Sequence, residues 1–157
     1  MIFMIPEAAA DQAYRNPNVM VASDGGFRFD GDKPVGHPRS AGTHARVLGR
    51  FVRERKVLSL MDAVRKMTLL PARRLETIDS AMRRKGRIQV GADADITIFD
   101  PRHVLDVATF ENAAQYCTGI VHVLVNGTLV VRDEQLVAGV VPGRAVRGVR
   151  GSSDPVR

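Results

Sequence analysis

Residues 19–26, "VMVASDGG", are the stretch on which the fold prediction rests. The mostly apolar run 18–23 ends in Asp24, which is followed by two glycines. Continuous apolarity, in place of alternation, predicts a parallel strand that is buried on both faces. The preceding residues 6–16, "PEAAADQAYRN", predict a short helix that begins at Pro6 and ends before the next proline. We therefore expect an αβ unit that delivers a carboxylate to the loop after its strand.

The segment that follows Asp24, residues 24–43, is rich in Gly, Pro and Asp and has no usable periodicity. We predict a loop here, and a loop of about twenty residues in a compact domain is often functional. Helices are then predicted over 43–56, from a cap at Ser59, and from Pro71 through Leu75, because apolar residues recur at helical spacing. The first region of the chain, to about residue 83, is thus predicted to have the order αβαα.

The sequence changes character near residue 84. In "GRIQVGADADITIFD", turn residues precede a strand that we predict over 94–100. In "IVHVLVNGTLVV", residues 120–131, two β-branched runs flank Asn126-Gly127, the pair that favours a type I′ hairpin turn. The chain is therefore divided into an α/β segment, a β-rich segment and a tail: 1–83, 84–147 and 148–157.

Composition narrows the class of protein. The chain has 157 residues, 45% of them hydrophobic and 25% charged, which is typical of a soluble domain with a core. No apolar run approaches the roughly 18 residues of a membrane span, and the start "MIFMIPEAAA" lacks the basic leader of a signal peptide. The single cysteine, Cys117, allows no internal disulfide. We expect a cytoplasmic protein that binds no membrane.

The net charge is +6, which raises the question of a nucleic-acid partner. The arginines are scattered along the chain, and aromatic residues make up only 5% of it, so that stacking platforms for bases are scarce. We expect no nucleic-acid partner and interpret the charge as a solvated basic surface.

The residue types around Asp24 allow several functions. Asp24 can be a metal ligand, a general base or a plain turn residue. His37 and Arg39, in "GHPRS", can bind a carboxylate or can only stabilise a surface loop. A catalytic zinc site needs about three protein ligands, and the chain has no His-x-His, no His-x-x-x-His and no paired cysteines. We assign no function to the other histidines: His44 is a solvated residue of a first helical turn, His103 is an inert turn residue and His122 is a packed strand residue.

The ordered blocks of the sequence carry a resemblance. They are "VMVASDGG", "GHPRSAGTHARVLGRFVRE", "LSLMDAVRKMTLLPARRL", "GRIQVGADADITIFDP", "YCTGIVHVLVNGTLVV" and "PGRAVR". In this order they resemble the C-terminal part of N-acyl-D-amino-acid deacylases (D-aminoacylases), which belong to the metal-dependent amidohydrolase superfamily. The resemblance covers residues 6–147.

The resemblance implies an α/β fold: the C-terminal piece of a TIM barrel, with its last strand and helices, followed by the C-terminal part of a small β-sandwich. It implies zinc as the cofactor and a small N-acyl-D-amino acid as the substrate. Asp24 would be a metal ligand and the catalytic carboxylate that moves a proton from water to the leaving amine. The resemblance also implies a group of substrate-binding residues: Ser23, Gly25, His37 and Arg39.

The chain departs from the family pattern in one major respect: no counterparts of the family's other metal ligands occur in it. We therefore expect a fragment that binds zinc weakly and is inactive alone, with the missing N-terminal half as a partner. Two alternatives stay open. One is a non-catalytic scaffold module that binds a partner, and the other is a fragment of a dihydropyrimidinase-like amidohydrolase that acts on cyclic amides.

Overall fold

The structure, a computed structural model, describes residues 5–146. No helix among these residues is long and apolar enough to cross a membrane. The predicted tail, 148–157, lies outside the described residues. The elements in chain order are α1 (Glu7–Arg15), β1 (Phe27–Asp30), β2 (Lys33–Gly36), α2 (Arg39–Arg46), a π-helical segment (Val47–Glu54), α3 (Leu60–Met67), α4 (Leu69–Leu75), a 3₁₀ helix (Ser80–Arg84), β3 (Ile96–Phe99), β4 (Ile120–Val125), β5 (Thr128–Arg132) and β6 (Gln135–Leu136).

The helices follow the sequence prediction closely at three of their four starts. α1 follows Pro6, as predicted, and α4 begins two residues before Pro71. The Ser59 cap is confirmed, since its Oγ accepts a hydrogen bond from the Asp62 N–H at 3.1 Å. α2, in contrast, begins four residues before the predicted start at Thr43. Pro38 already has helical backbone angles, with φ of −50° and ψ of −30°, so that the helix can begin directly after it.

The prediction of an irregular loop over 24–43 is wrong in part. β1 and β2 form an antiparallel hairpin within this segment, with Phe27 opposite Gly36. The turn between the strands uses Gly31, whose φ of +60° lies in the left-handed region that glycine adopts without strain. Apolar and polar residues alternate in "FRFD", which is the pattern of a strand. The glycines on either side of it indicate a loop, and the loop was predicted for this reason.

The predicted parallel strand over 18–23 is not formed among the described residues. Residue 18 lies in a turn, residues 19–23 form no regular secondary structure, and their hydrogen bonds are made to α3. The N–H of Val21 donates to the Lys66 carbonyl at 3.2 Å. The Lys66 ammonium, whose residue is only 3% exposed, donates to the carbonyls of Val19, at 3.0 Å, and Asn16. A parallel strand needs a neighbouring strand to complete its hydrogen bonds, and here a lysine supplies donors instead.

The β-rich region forms one antiparallel sheet with the strand order β3-β4-β5-β6. β3 occupies the centre of the strand predicted over 94–100. The predicted hairpin is confirmed: β4 and β5 pair across Asn126 and Gly127, whose φ values of 48° and 76° suit a type I′ turn.

A single core joins the helical and β-rich regions. Val104, which follows β3, is fully buried and packs in the same cluster as residues of α2, the π-helical segment and α3. The Arg53 guanidinium also donates to the Val104 carbonyl at 2.6 Å. This contact holds Val104 against the π-helical segment, which directly continues α2. The buried cluster consists of Val21, Ala45, Val47, Leu48, Ala63 and Val104.

Gly119 and Gly139 provide a matched test of this junction. Both have φ near +75°, but a Cβ on Gly119 would lie 2.5 Å from the Val104 nitrogen, whereas a Cβ on Gly139 would meet no atom within 4 Å. We expect Gly139→Ala to lower the free energy of unfolding by about 1–2 kcal/mol through backbone strain alone. Gly119→Ala should cost about 1–3 kcal/mol more. Urea denaturation measures both, and equal losses would contradict the packing described here.

Candidate functional site

Asp24 stands on a left-handed turn at the end of the extended segment. Its φ is 47°, a conformation that few non-glycine residues adopt and that is enriched at functional sites. The Gly25 N–H donates to the Ser23 Oγ at 3.4 Å, which closes the turn. The Asp24 side chain is 88% exposed, and its Oδ2 lies 3.0 Å from Nη2 of Arg39. The backbone therefore presents a carboxylate to solvent beside a guanidinium group.

The turn after Asp24 rests on the first turn of α2. A Cβ on Gly25 would lie 2.5 Å from the Ser40 Cα, so only glycine fits at this close approach. The Ser40 Oγ accepts from the Gly26 N–H at 3.0 Å and donates to the Gly26 carbonyl at 2.9 Å. These contacts explain how Asp24 and Arg39, which are distant in sequence, become neighbours.

His37 is oriented by two contacts. Its Nδ1 accepts a hydrogen bond from the Arg39 backbone N–H at 3.0 Å, so the proton of the neutral ring is on Nε2. The ring meets Phe110 edge to face, with 4.8 Å between the ring centroids. His37 is thereby a hydrogen-bond donor with a defined tautomer, held between α2 and the segment 106–111.

A cavity of about 420 Å³ lies between α2 and the segment 106–111. Its polar wall includes Arg39 and Arg46 from α2, and its apolar wall includes Ala108 and Phe110. The volume is within the range of pockets for small molecules. The residues that line it are His37, Pro38, Arg39, Gly42, Thr43, Arg46, Asp106, Ala108, Thr109, Phe110 and Glu111.

An ion pair joins the two walls of this cavity. Nη1 of Arg46 lies 3.0 Å from Oδ2 of Asp106, whose side chain is only 9% exposed. A Cβ on Gly42 would lie 2.8 Å from the Asp106 Cβ, so the absence of a side chain at Gly42 permits the approach. Because a nearly buried carboxylate needs a counterion, this pair locks the segment 106–111 against α2.

The described residues do not by themselves fit a zinc ion. Among residues 5–146, no group of three or more His, Cys, Asp or Glu side chains could hold a metal. The charged neighbour of Asp24 is Arg39, which cannot be a ligand. Burial raises the pKa of the Cys117 thiol, which packs against the core and stays protonated at neutral pH. That Asp24 ligates a metal stays a prediction.

The structure brings together most of the residues singled out from the sequence. Ser23, Asp24 and Gly25 form one turn, which Arg39 contacts, and His37 joins through the Arg39 backbone. His44, His103 and His122 do not line the cavity. Sequence reasoning missed the opposite wall, because its contacts with α2 join distant positions and leave no local pattern. The residues missed in this way are Asp106, Ala108, Phe110 and Glu111.

Comparison with known proteins supplies the family. The sequence profile of the amidohydrolase family matches residues 11–131. The chain is 41% identical over 145 residues to an N-acyl-D-glutamate deacylase from Alcaligenes xylosoxydans xylosoxydans and 38% identical over 144 residues to a D-aminoacylase of the same organism. Each alignment covers 92% of this chain and 28% of the relative.

A solved structure agrees with these sequence comparisons. The zinc- and phosphonate-bound N-acyl-D-glutamate deacylase from Bordetella bronchiseptica matches with a TM-score of 0.76 and 37% identity, over 92% of this chain and 28% of that chain. The chain therefore belongs to the amidohydrolase family. The resemblance of the chain to deacylases of N-acyl-D-amino acids is confirmed. The chain spans 28% of the length of the two curated relatives named above.

Substitutions of Arg46 and Arg39 by methionine form a matched pair that tests the ion pair between the cavity walls. Both side chains are 48% exposed, but Arg46 pairs with a nearly buried carboxylate and Arg39 with an exposed one. We expect Arg46→Met to lower the free energy of unfolding by about 1–2 kcal/mol, since it leaves Asp106 without a counterion and Arg46 is partly screened by solvent. Arg39→Met should change it by less than about 0.5 kcal/mol. Chemical denaturation distinguishes the two, and equal effects would show that Asp106 does not depend on Arg46.

Proposed function

We propose that this chain provides the proton-transferring carboxylate and the substrate-binding loop of an enzyme that hydrolyses the amide bond of N-acyl-D-amino acids. The observation that carries the proposal is the Asp24 turn: a strained, exposed carboxylate 3.0 Å from Arg39, which lines the cavity. The relatives' names support the choice of substrate. Asp24 is the catalytic residue of this proposal.

The proposed chemistry at Asp24 is general base and then general acid catalysis. The Asp24 carboxylate takes a proton from the water that attacks the amide carbonyl, so that a C–O bond forms. It then returns the proton to the leaving nitrogen as the C–N bond breaks. The products are a carboxylate and a free D-amino acid. The Asp24 carboxylate is exposed to solvent and lies 3.0 Å from the Arg39 guanidinium, so that a water molecule can reach it.

The loop residues bind and orient the substrate in this proposal. Arg39 binds the α-carboxylate of the N-acyl-D-amino acid in bidentate fashion, as guanidinium groups do. His37 donates from Nε2, the nitrogen that its contact with the Arg39 backbone leaves protonated. Ser23 and Gly25 shape the turn, so that the Asp24 carboxylate faces the same ligand.

Zinc is the cofactor that we propose for the complete centre. The solved N-acyl-D-glutamate deacylase is complexed with zinc and a phosphonate mimic of the tetrahedral intermediate. Asp24 is the residue of this chain that we assign to the metal. Since residues 5–146 contain no ligand cluster, the other ligands must come from outside them.

The proposed architecture follows the same reasoning. We propose that 1–83 is the last segment of the TIM barrel, that 84–147 belongs to the composite β-sandwich, and that 148–157 is a tail. The apolar run 18–23, which has no strand neighbour among the described residues, is compatible with this, because it would complete a parallel ladder beside a second barrel strand. The four-stranded meander is likewise compatible with one part of a sandwich.

A second candidate function is a non-catalytic module that binds a partner. The observation in its favour is the segment 18–23, in which Met20 is 40% exposed and which has no strand neighbour among the described residues. Such an edge can pair with another chain. The catalytic proposal requires the Asp24 carboxylate in addition, whereas the module does not.

A chimera tests the catalytic proposal. In it, this chain replaces the matching 28% of the Alcaligenes D-aminoacylase. We expect the chimera to hydrolyse N-acetyl-D-methionine, and Asp24→Asn to lower kcat by about a thousandfold, because an amide cannot carry the proton. Asp30→Asn, at the exposed end of β1, is the matched control and should leave kcat unchanged.

The outcomes of this experiment separate the candidates. A folded, zinc-loaded chimera that is inactive, or one that stays active after Asp24→Asn, would contradict the catalytic proposal. Hydrolysis of a cyclic amide such as dihydrouracil in preference to N-acetyl-D-methionine would favour the dihydropyrimidinase-like alternative. Activity must be measured with both enantiomers, since the proposal requires the D form.

A further inference from the structure

We propose that the cavity between α2 and residues 106–111 receives the amino-acid side chain of the substrate and selects neutral, apolar side chains over those that carry a carboxylate. The inference rests on the proposed function and names the substrate class within it. It is carried by the charges that line the cavity, by the apolar surface between them and by the cavity's size.

Both arginines that line the cavity already have a carboxylate partner. Arg46 is paired with the nearly buried Asp106, and Arg39 is paired with Asp24 outside the cavity wall. A ligand carboxylate must compete with these partners for a guanidinium group. The α-carboxylate of any N-acyl amino acid competes with the exposed Asp24 at Arg39, which is a weak competitor because water screens it. At Arg46 the competitor is nearly buried and far harder to displace.

Glu111 adds a further carboxylate to the same wall. It is exposed, and none of the residues 5–146 forms an ion pair with it. N-acyl-D-glutamate and N-acyl-D-aspartate each bring a second carboxylate in the side chain. That group would face Glu111 and Asp106 with no unpaired cation on the described lining, so like-charge repulsion and lost hydration oppose its binding.

The remaining surface suits an apolar side chain. Pro38, Ala108 and Phe110 contribute carbon atoms to the lining, and the Phe110 ring is fixed against His37 at 4.8 Å. A volume of about 420 Å³ accommodates a side chain such as that of methionine or leucine together with solvent. Burial of apolar surface then favours binding.

Sequence identity to the relatives does not decide this question. The chain is 41% identical to the N-acyl-D-glutamate deacylase, 38% identical to an N-acyl-D-aspartate deacylase and 38% identical to the D-aminoacylase. The charges of the cavity are therefore the observation that distinguishes a neutral from an acidic side chain.

Isothermal titration calorimetry of the 157-residue chain tests the inference, with N-acetyl-D-methionine and N-acetyl-D-glutamate as ligands. We expect the methionine derivative to bind about tenfold more tightly, the effect of one unfavourable charge contact in a partly hydrated site. Glu111→Gln should narrow the difference, and Glu111→Lys should reverse it. Glu134→Gln, an exposed carboxylate on the β5–β6 turn, is the matched control and should change neither affinity.

The possible results distinguish an error in the side-chain selectivity from an error in the assignment of substrate binding. Equal or tighter binding of N-acetyl-D-glutamate by the unaltered chain overturns the selectivity and leaves the proposed function standing. An affinity ratio that Glu111→Lys does not change overturns the assignment of the side chain to this cavity. Failure of both ligands to bind the folded chain overturns the assignment of substrate binding to this loop and cavity, and the selectivity falls with it, whereas the chimera tests the proposed hydrolysis separately.

Discussion

The ion pair between Arg46 and Asp106 is the interaction on which the candidate site depends. It connects α2 to the segment that leaves β3, and the cavity lies between these two elements. The pair is effective because one partner is nearly buried, so the cost of separating it includes an uncompensated charge. Gly42 permits the approach, and the fully buried Val104 anchors the same segment two residues earlier.

Asp24 is positioned beside Arg39, outside the cavity wall, by a separate set of constraints. A buried lysine on α3, Lys66, holds the extended segment by its carbonyl groups, and the glycine turn after Asp24 packs on the start of α2. Arg39 then joins the two halves of the site, since it contacts Asp24 and also lines the cavity. The chain belongs to the amidohydrolase family, and residues 5–146 contain no group of side chains that could hold a metal ion.

Local signals in the sequence were sufficient for part of this structure. The Ser59 cap and the Asn126-Gly127 turn are short-range patterns, and both were confirmed. The parallel strand over 18–23 was predicted from composition that is right for a strand, but a strand also needs a neighbour, which no local pattern guarantees. The loop prediction over 24–43 failed because glycines interrupted a short alternation and because Pro38 begins the helix earlier than its apolar stripe.

The site residues also fall into two groups: those that a local sequence pattern indicates and those that come together only after folding. Asp24, His37 and Arg39 were found from their residue types beside a turn, whereas Asp106 and Glu111 meet α2 only after folding. The most direct test of the account is to map N-acetyl-D-methionine on the ¹⁵N-labelled chain by NMR. We predict that amide shifts concentrate in residues 37–46 and 106–111. Shifts confined to the hairpin of β4 and β5, or an absence of shifts at millimolar ligand, would contradict it.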